Sequence, residues 1–279
     1  MQKKIDKRRF GPWALITGAS SGIGREFARQ IAGSGLNVVL AARREALLQE
    51  TAAHCSETFG VGTRGIAADL SKDGYMRDLI AATNDLDIGL VISNAGTANP
   101  GAFLDQNHDE LIRLLHLNAQ SHLNIAYHFG QRLMQRRRGG LLLCGAMGAQ
   151  VGIPYMANES GAKSFVQSFG EALHAEWAPH GVYVSVLVVG PTRTAIIEKF
   201  GLDPAAMPMK PMPVEHCVTE GLKALSKNRP AHLPGRMNRI MNALIPASVS
   251  RKMMGAMLGK PLAKKQAALR TRDREAGAL

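Results

Sequence analysis

One stretch of this 279-residue chain has the makings of an anion cradle. Thr17-Gly18-Ala19-Ser20-Ser21-Gly22-Ile23-Gly24 follows a short apolar run and leads straight into a helical pattern. Gly18, Gly22 and Gly24 permit a tight turn. They let the backbone around Ser20, Ser21 and Ile23 approach a pyrophosphate at a helix N-terminus, where the helix dipole favours negative charge. A second constellation sits near residue 160. Glu159 and Lys163 lie one helical turn apart on one face, and Tyr155 precedes them by another turn. The ordinary pKa of a glutamate is about 4.3, so near neutrality it is a base. Apolar burial raises that value and a neighbouring ammonium lowers it. The same spacing also makes a plain helix ion pair, worth only about 0.3–0.5 kcal/mol when exposed, and both readings stay open. Tyr155 either brings a phenol into the same cleft or lines a pocket. His116, His122 and His128 read as packing residues of one long helix, and no His, Cys or Asp cluster has metal-ligand spacing.

Strands and helices must position these groups. Apolar runs at Trp13–Thr17, Asn37–Ala41, Thr63–Ala67, Gly89–Ser93, Gly140–Cys144 and Val182–Val188 are mostly continuous rather than alternating, as in strands buried on both faces. Helical patterns intervene at Gly24–Ala32, Glu45–Thr58, Met76–Thr83, roughly Asp109–Arg136, and Asn158–Trp177. The alternation predicts an α/β fold, a doubly wound parallel sheet with ligands at the carboxyl ends of its strands. Residues 1–10 read as a basic tail, 11–235 as the single sheet domain, and 236–279 as a helical extension. The Pro- and Met-rich segment 201–213 reads as a substrate loop or an irregular connection.

Composition narrows the classes. Hydrophobic residues at 46% and charged residues at 20% exclude disorder for most of the length. Cys55, Cys144 and Cys217 are scattered thiols, as expected in a reducing cytoplasm. No apolar run has bilayer-spanning length, and the basic stretch Met1–Arg9 lacks the apolar segment of a secretory signal. The net charge of +12 belongs to the ends: five basic residues against one acid in 1–10, ten against two in 232–279, and balance between them. Without an aromatic-and-basic motif this charge does not point to nucleic acid. It favours anionic surfaces, including a peripheral membrane contact of the C-terminal extension, and also serves solubility. The apolar residues there (Met237, Ile240, Met241, Leu244, Ile245, then Met253, Met254, Met257, Leu258) make a membrane-lying or pocket-closing helix pair, or, the preferred reading, core or dimer packing.

The glycine turn looks like that of the short-chain dehydrogenase/reductase family, and further marks follow in order: Asp69-Leu70, Asn94-Ala95-Gly96, Asn118, Lys163 within Gly161-Ala162-Lys163-Ser164-Phe165, and Gly190-Pro191-Thr192-Arg193-Thr194, with Val189 where Pro is usual. The resemblance covers roughly residues 10–235 and implies a Rossmann fold. It implies that Asp69 and Leu70 meet an adenine, that Asn94, Ala95 and Gly96 support the cofactor, and that Thr194 holds a nicotinamide carboxamide. An NAD site carries a carboxylate after the second strand. Here that strand ends Ala41-Ala42-Arg43-Arg44. A guanidinium there suits a 2′-phosphate; a solvated helix start is the other reading, open for Arg44 and disfavoured for Arg43, so NADP is expected with Arg43 as its contact. Homodimers or homotetramers through the long helix and the Lys163 helix are implied as well.

Family members exchange a proton through a Tyr four residues before the Lys, aided by a Ser and an Asn. Here Glu159 stands at the Tyr position and Ala146 at the Ser position, while Asn118 and Lys163 are kept. Three functions fit. The preferred one is an NADP-dependent oxidoreductase for a small apolar carbonyl or alcohol, with proton transfer through Glu159, Tyr155 or water. The alternatives are a non-redox isomerase or lyase with Glu159 as base, and an inactive nucleotide-binding protein.

Overall fold

Residues 5–200 and 210–276 are described by a computed structural model. Seven parallel strands form one sheet: β1 (Trp13–Thr17), β2 (Asn37–Ala42), β3 (Thr63–Ala67), β4 (Ile88–Ser93), β5 (Gly139–Ala146), β6 (Val182–Val189) and β7 (Ala231–His232), in the spatial order β3-β2-β1-β4-β5-β6-β7. The strand order reverses between β1 and β4, which opens a crevice at their carboxyl ends. The apolar runs are continuous because successive side chains serve two cores. Ala14, Ile16, Val38, Leu40, Leu90 and Ile92 face one side, against Phe27 and Ile31 of α2 (Gly22–Ala32), Leu48 of α3 (Glu45–Phe59) and Leu222 of α9 (Val214–Ser226). Leu15, Val39, Val91, Leu141 and Leu143 face the other, against Leu79 of α4 (Tyr75–Ala81), Phe129 of α6 (Ser121–Arg136) and Val166 of α7 (Ala157–Trp177). The doubly wound sheet expected from the sequence is thus the fold.

The single helix expected over 109–136 is three pieces. α5 (His108–Leu115) and α6 are joined by a π-helical turn, His116–Gln120. Such turns often mark functional positions, and this one carries Asn118, which is 1% exposed.

The ends differ from a tail and a packed stripe. The short helix α1 (Lys7–Phe10) is capped by the Asp6 carboxylate, and Ile5 and Phe10 are buried. α8 (Ala195–Lys199) follows β6. The expected substrate loop lies mostly outside the described residues. Of its described part, Met212 bonds back to Pro191 and Arg193. The extension forms α10 (Arg236–Leu244) and α11 (Ala247–Ala276). Leu258 is buried and Met253, Met254 and Met257 are half-buried, but Met237, Ile240 and Leu244 are exposed, so these three do not enter the core of the described chain.

α7 approaches the sheet through Gly170. A Cβ there would overlap Val186 Cγ2 and come within 2.8 Å of Leu143 Cδ1. Gly170→Val is therefore expected to cost about 1–3 kcal/mol or more through overpacking, read as a lowered midpoint in thermal or denaturant unfolding.

Candidate active site at the carboxyl ends of the strands

The glycine turn is held by close approach. Gly18 has φ +68°, and a Cβ on it would stand 2.8 Å from Asn94 Nδ2; one on Gly24 would overlap the Gly18 carbonyl. Both positions require glycine. Ser21 at the N-cap of α2 makes no side-chain capping bond, which leaves first-turn N–H groups for an anion. The cradle therefore fits a dinucleotide pyrophosphate. Thr194 stands beside it, its Cγ2 3.5 Å from where a Cβ on Gly22 would be.

The two arginines after β2 point to different neighbours. Arg44 is the residue that reaches the turn, donating to Ser21 Oγ at 2.6 Å and Ser20 Oγ at 3.2 Å, because its place at the N-cap of α3 directs it back across the cradle. Arg43 lies instead near the Asp69 carboxylate. That carboxylate accepts the Ser71 N–H and O–H at 3.1 and 2.7 Å. Partial burial pushes Asp69 up, but the Ser71 bonds with Arg43 and Lys72 outweigh it and hold the acid below its ordinary range. The buried Leu70 adjoins it.

Across the crevice, the loop after β4 collects side chains from four elements. Thr17 Oγ1 accepts the Asn94 and Ala95 N–H groups, each at 3.0 Å, and Asn94 Nδ2 donates to the Thr17 carbonyl. Asn118 binds Thr97 twice: its Oδ1 accepts the N–H at 3.2 Å and its Nδ2 donates to the carbonyl at 2.7 Å. Glu159 Oε1 accepts the Asn99 N–H at 2.9 Å. Lys199 Nζ donates to Thr97 Oγ1 and the Ala98 carbonyl. A Cβ on Gly96 would stand 2.8 Å from Asn118 Oδ1 and 3.3 Å from Lys163 Nζ. Asn118, Glu159 and Lys163 therefore converge on one short loop.

Glu159 and Lys163 do not pair, which removes the helix ion-pair reading. Glu159 is 4% exposed, and its Oε2 is buried without a partner among the described residues. Burial pushes its carboxyl above the ordinary range, against the Asn99 N–H and the Lys199 charge, which pull it down. Lys163 Nζ turns inward, donating to the Cys144 carbonyl at 2.8 Å and meeting His122 Nε2 at 3.3 Å. Burial lowers this ammonium to about 8. His122 is fully buried and held well below its ordinary value by burial and by Lys163. It is neutral, so Nε2 accepts from the ammonium and the Nδ1–H faces Ser93 Oγ at 2.8 Å. The packing role expected of His122 is incomplete, because it also fixes Lys163. Burial pushes the Cys144 thiol up to about 12, so that residue contributes its carbonyl and not a nucleophile.

Tyr155 is not brought to these groups. Its backbone has φ +66° and its carbonyl accepts the Gly101 N–H at 2.8 Å. Its hydroxyl lies 3.3 Å from where a Cβ on Gly259 of α11 would be, so the ring lies between the start of α7 and the C-terminal extension. Ala146, at the end of β5, offers no polar side chain. Among the described residues no group of three His, Cys, Asp or Glu side chains converges as metal ligands would.

A model of the short chain dehydrogenase family matches residues 12–204. A very-long-chain 3-oxoacyl-CoA reductase of Meyerozyma guilliermondii is 35% identical over 209 residues, covering 71% of this chain and 61% of that protein. One of Laccaria bicolor is 36% identical over 170 residues, 60% of this chain and 50% of that one. The chain thus spans between half and about six-tenths of the length of these relatives. Among solved structures, a 7β-hydroxysteroid dehydrogenase superposes with TM-score 0.82 at 28% identity, covering 89% of this chain and 98% of that one. A short-chain dehydrogenase from Sphingobium yanoikuyae in complex with NADPH gives TM-score 0.76 at 29% identity, covering 89% and 94%.

The raised Glu159 carboxyl makes a stability prediction. Its folded value exceeds its unfolded one, so its contribution is fully present below the ordinary glutamate range and is lost as pH rises through the raised value. Glu159→Gln keeps an oxygen for the Asn99 N–H. It is expected to melt above the wild type at neutral pH, with the gap closing as pH falls through about 4.3; thermal melts across that range measure it.

Proposed function

The chain belongs to the short-chain dehydrogenase family, and from that membership we propose that it is an NADP(H)-dependent oxidoreductase of an apolar carbonyl or alcohol substrate, with a buried carboxylic acid, Glu159, as its proton-exchanging group. The observation that carries this reading is the convergence of Asn118, Glu159 and Lys163 on the loop 96–99, with Glu159 Oε2 left unpartnered.

At the nucleotide end, the first-turn N–H groups of α2 receive the pyrophosphate, and Arg44, bridged to Ser20 and Ser21, offers a guanidinium to a 2′-phosphate with Arg43 beside it. The absence of an acid at the end of β2 supports NADP over NAD. Asp69, locked by Ser71, presents its second carboxylate oxygen toward the adenine side. The bound nucleotide supplies or takes a hydride at its nicotinamide ring. Lys163, fixed from behind by the Cys144 carbonyl and His122, keeps one N–H for a ribose hydroxyl, and Thr194 beside the cradle holds the carboxamide.

At the chemical end, Glu159 Oε1 is tied to the Asn99 N–H, so the proton sits on Oε2. Burial keeps it there at a pH where an exposed glutamate would have lost it. A carbonyl oxygen turning into an alkoxide takes that proton; in the reverse direction the carboxylate accepts it from the alcohol. With Ala146 in place of a hydroxyl, the acid itself must polarise the oxygen. The activities named for similar proteins, a very-long-chain 3-oxoacyl-CoA reductase, a 7β-hydroxysteroid dehydrogenase and a bulky-bulky ketone specific alcohol dehydrogenase, support an apolar carbonyl compound as substrate. Exposed Leu123 and Tyr127 on α6 and Phe165 on α7 support self-association through these helices.

Two measurements test the reading. A charge-assisted bond to phosphate contributes about 1.5–3 kcal/mol, so Arg44→Ala should weaken NADPH binding about ten- to hundredfold in a fluorescence titration. NADH binding should stay unchanged; equal losses for both nucleotides would overturn the assignment. Glu159→Gln should retain NADPH affinity and lose at least about a hundredfold in turnover, whereas full turnover would remove the carboxyl from the chemistry.

A further inference from the structure

α10 presents an apolar stripe that no described residue covers. Met237, Ile240 and Leu244, at helical spacing, are 63%, 40% and 74% exposed, and Val249 at the start of α11 is 53% exposed. The opposite face of α10 is anchored. Asn238 is buried, donates to the Pro234 carbonyl at 2.9 Å, and packs on Gly190, where a Cβ would stand 2.8 Å from its Nδ2. The stripe is therefore a fixed outward face and not the underside of a loosened helix.

The segment that carries it has only basic charge. Between residues 232 and 262 there are five Lys or Arg residues, Arg236, Arg239, Arg251, Lys252 and Lys260, and no Asp or Glu. Arg236 and Arg239 directly precede Met237 and Ile240 and flank the stripe. Arg239 is paired with Glu220 and Arg251 donates to the Val151 carbonyl, which fixes the orientation of this face. A second copy meeting the first through this stripe about a two-fold axis would bring two such clusters together, and that repulsion argues against a dimer here. The N-terminal basic cluster lacks the other half of the pattern: Ile5 and Phe10 are buried, and Arg9 bonds the Gly181 carbonyl at the opposite end of β6 from Gly190.

We propose that the α10 face and the start of α11 form a docking surface for an anionic phospholipid bilayer, with Met237, Ile240, Leu244 and Val249 entering the interface and the flanking basic residues meeting lipid phosphates. An apolar stripe with basic flanks lies in a membrane plane in this way, and anionic lipid attracts each added cation. Among the described residues no helix is long and apolar enough to cross a membrane, so the contact is peripheral. α10 leans on the segment leading to Thr194, and α11 covers Pro154 and Tyr155 through Gly255 and Gly259. The surface is independent of the chemistry at Glu159.

Sedimentation of the full chain with phosphatidylserine-containing vesicles, against phosphatidylcholine vesicles alone, tests this without any turnover assay. Capture by the anionic vesicles is expected, falling with added salt. The double variant Met237→Glu/Leu244→Glu should lower it by about tenfold or more while keeping NADPH binding and far-ultraviolet circular dichroism. Arg236→Glu/Lys252→Glu supplies the same readout if the first variant misfolds. Absent capture, equal capture by both vesicle types, or capture unchanged in the variants would overturn the proposal. So would an uncaptured wild-type dimer that the variants dissociate, which would make this face a protein interface.

Discussion

The site depends on how one short loop is held. Residues Asn94 to Asn99 leave the carboxyl end of β4 with backbone groups that the sheet cannot satisfy, and side chains from elsewhere take them up. Thr17 comes from β1, Asn118 from the π-helical turn, Glu159 from α7 and Lys199 from α8. A buried amide or carbonyl left without a partner costs more than a made hydrogen bond returns, so these four contacts constrain one another. They bring Asn118 and Glu159 to one place, beside Lys163, from positions spread over 45 residues of sequence.

A tyrosine hydroxyl donates readily but must be made acidic; a glutamate must be made less so. Here burial does that work, and the direction of the Glu159 shift follows from it. Separation from Lys163 matters equally. Were the ammonium on the carboxylate, the acid would be held ionised, and the ion pair would be inert. Instead Lys163 is drawn inward by a carbonyl and a neutral imidazole, so its ammonium does not offset the burial that raises the Glu159 carboxyl. The cost is a buried acid that destabilises the fold at neutral pH, a common trade at functional sites.

Much of the architecture was legible because periodicity is set by burial. Five of the six main strands read from nearly continuous apolar runs because each feeds a core on both sides, whereas the edge strand β3 gives only Ile66 to one core. β7 was not, having only two residues, and α9 lies between proline-bearing stretches that obscure its apolar spacing. The π turn is invisible to a 3.6-residue pattern, which runs unbroken across Asn118. At the site, residue types and spacing singled out the glycine turn and the Glu159–Lys163 pair, and the family resemblance pointed to Asn94–Gly96 and Asn118. Contacts made across the chain were not readable: Arg44 curling back onto Ser20 and Ser21, His122 backing Lys163 from 41 residues away, and Glu159 turning from Lys163 to the Asn99 amide. Each is a choice between two nearby partners that only tertiary packing decides.

The account turns on where Glu159 keeps its proton. A carbon-13 NMR titration of the glutamate carboxyls, with the Glu159 signal assigned by its loss in Glu159→Gln, measures this directly. The predicted result is a titration midpoint clearly above the ordinary glutamate value of about 4.3. A midpoint at or below that value, with the carboxylate ionised through neutrality, would contradict the proposed acid.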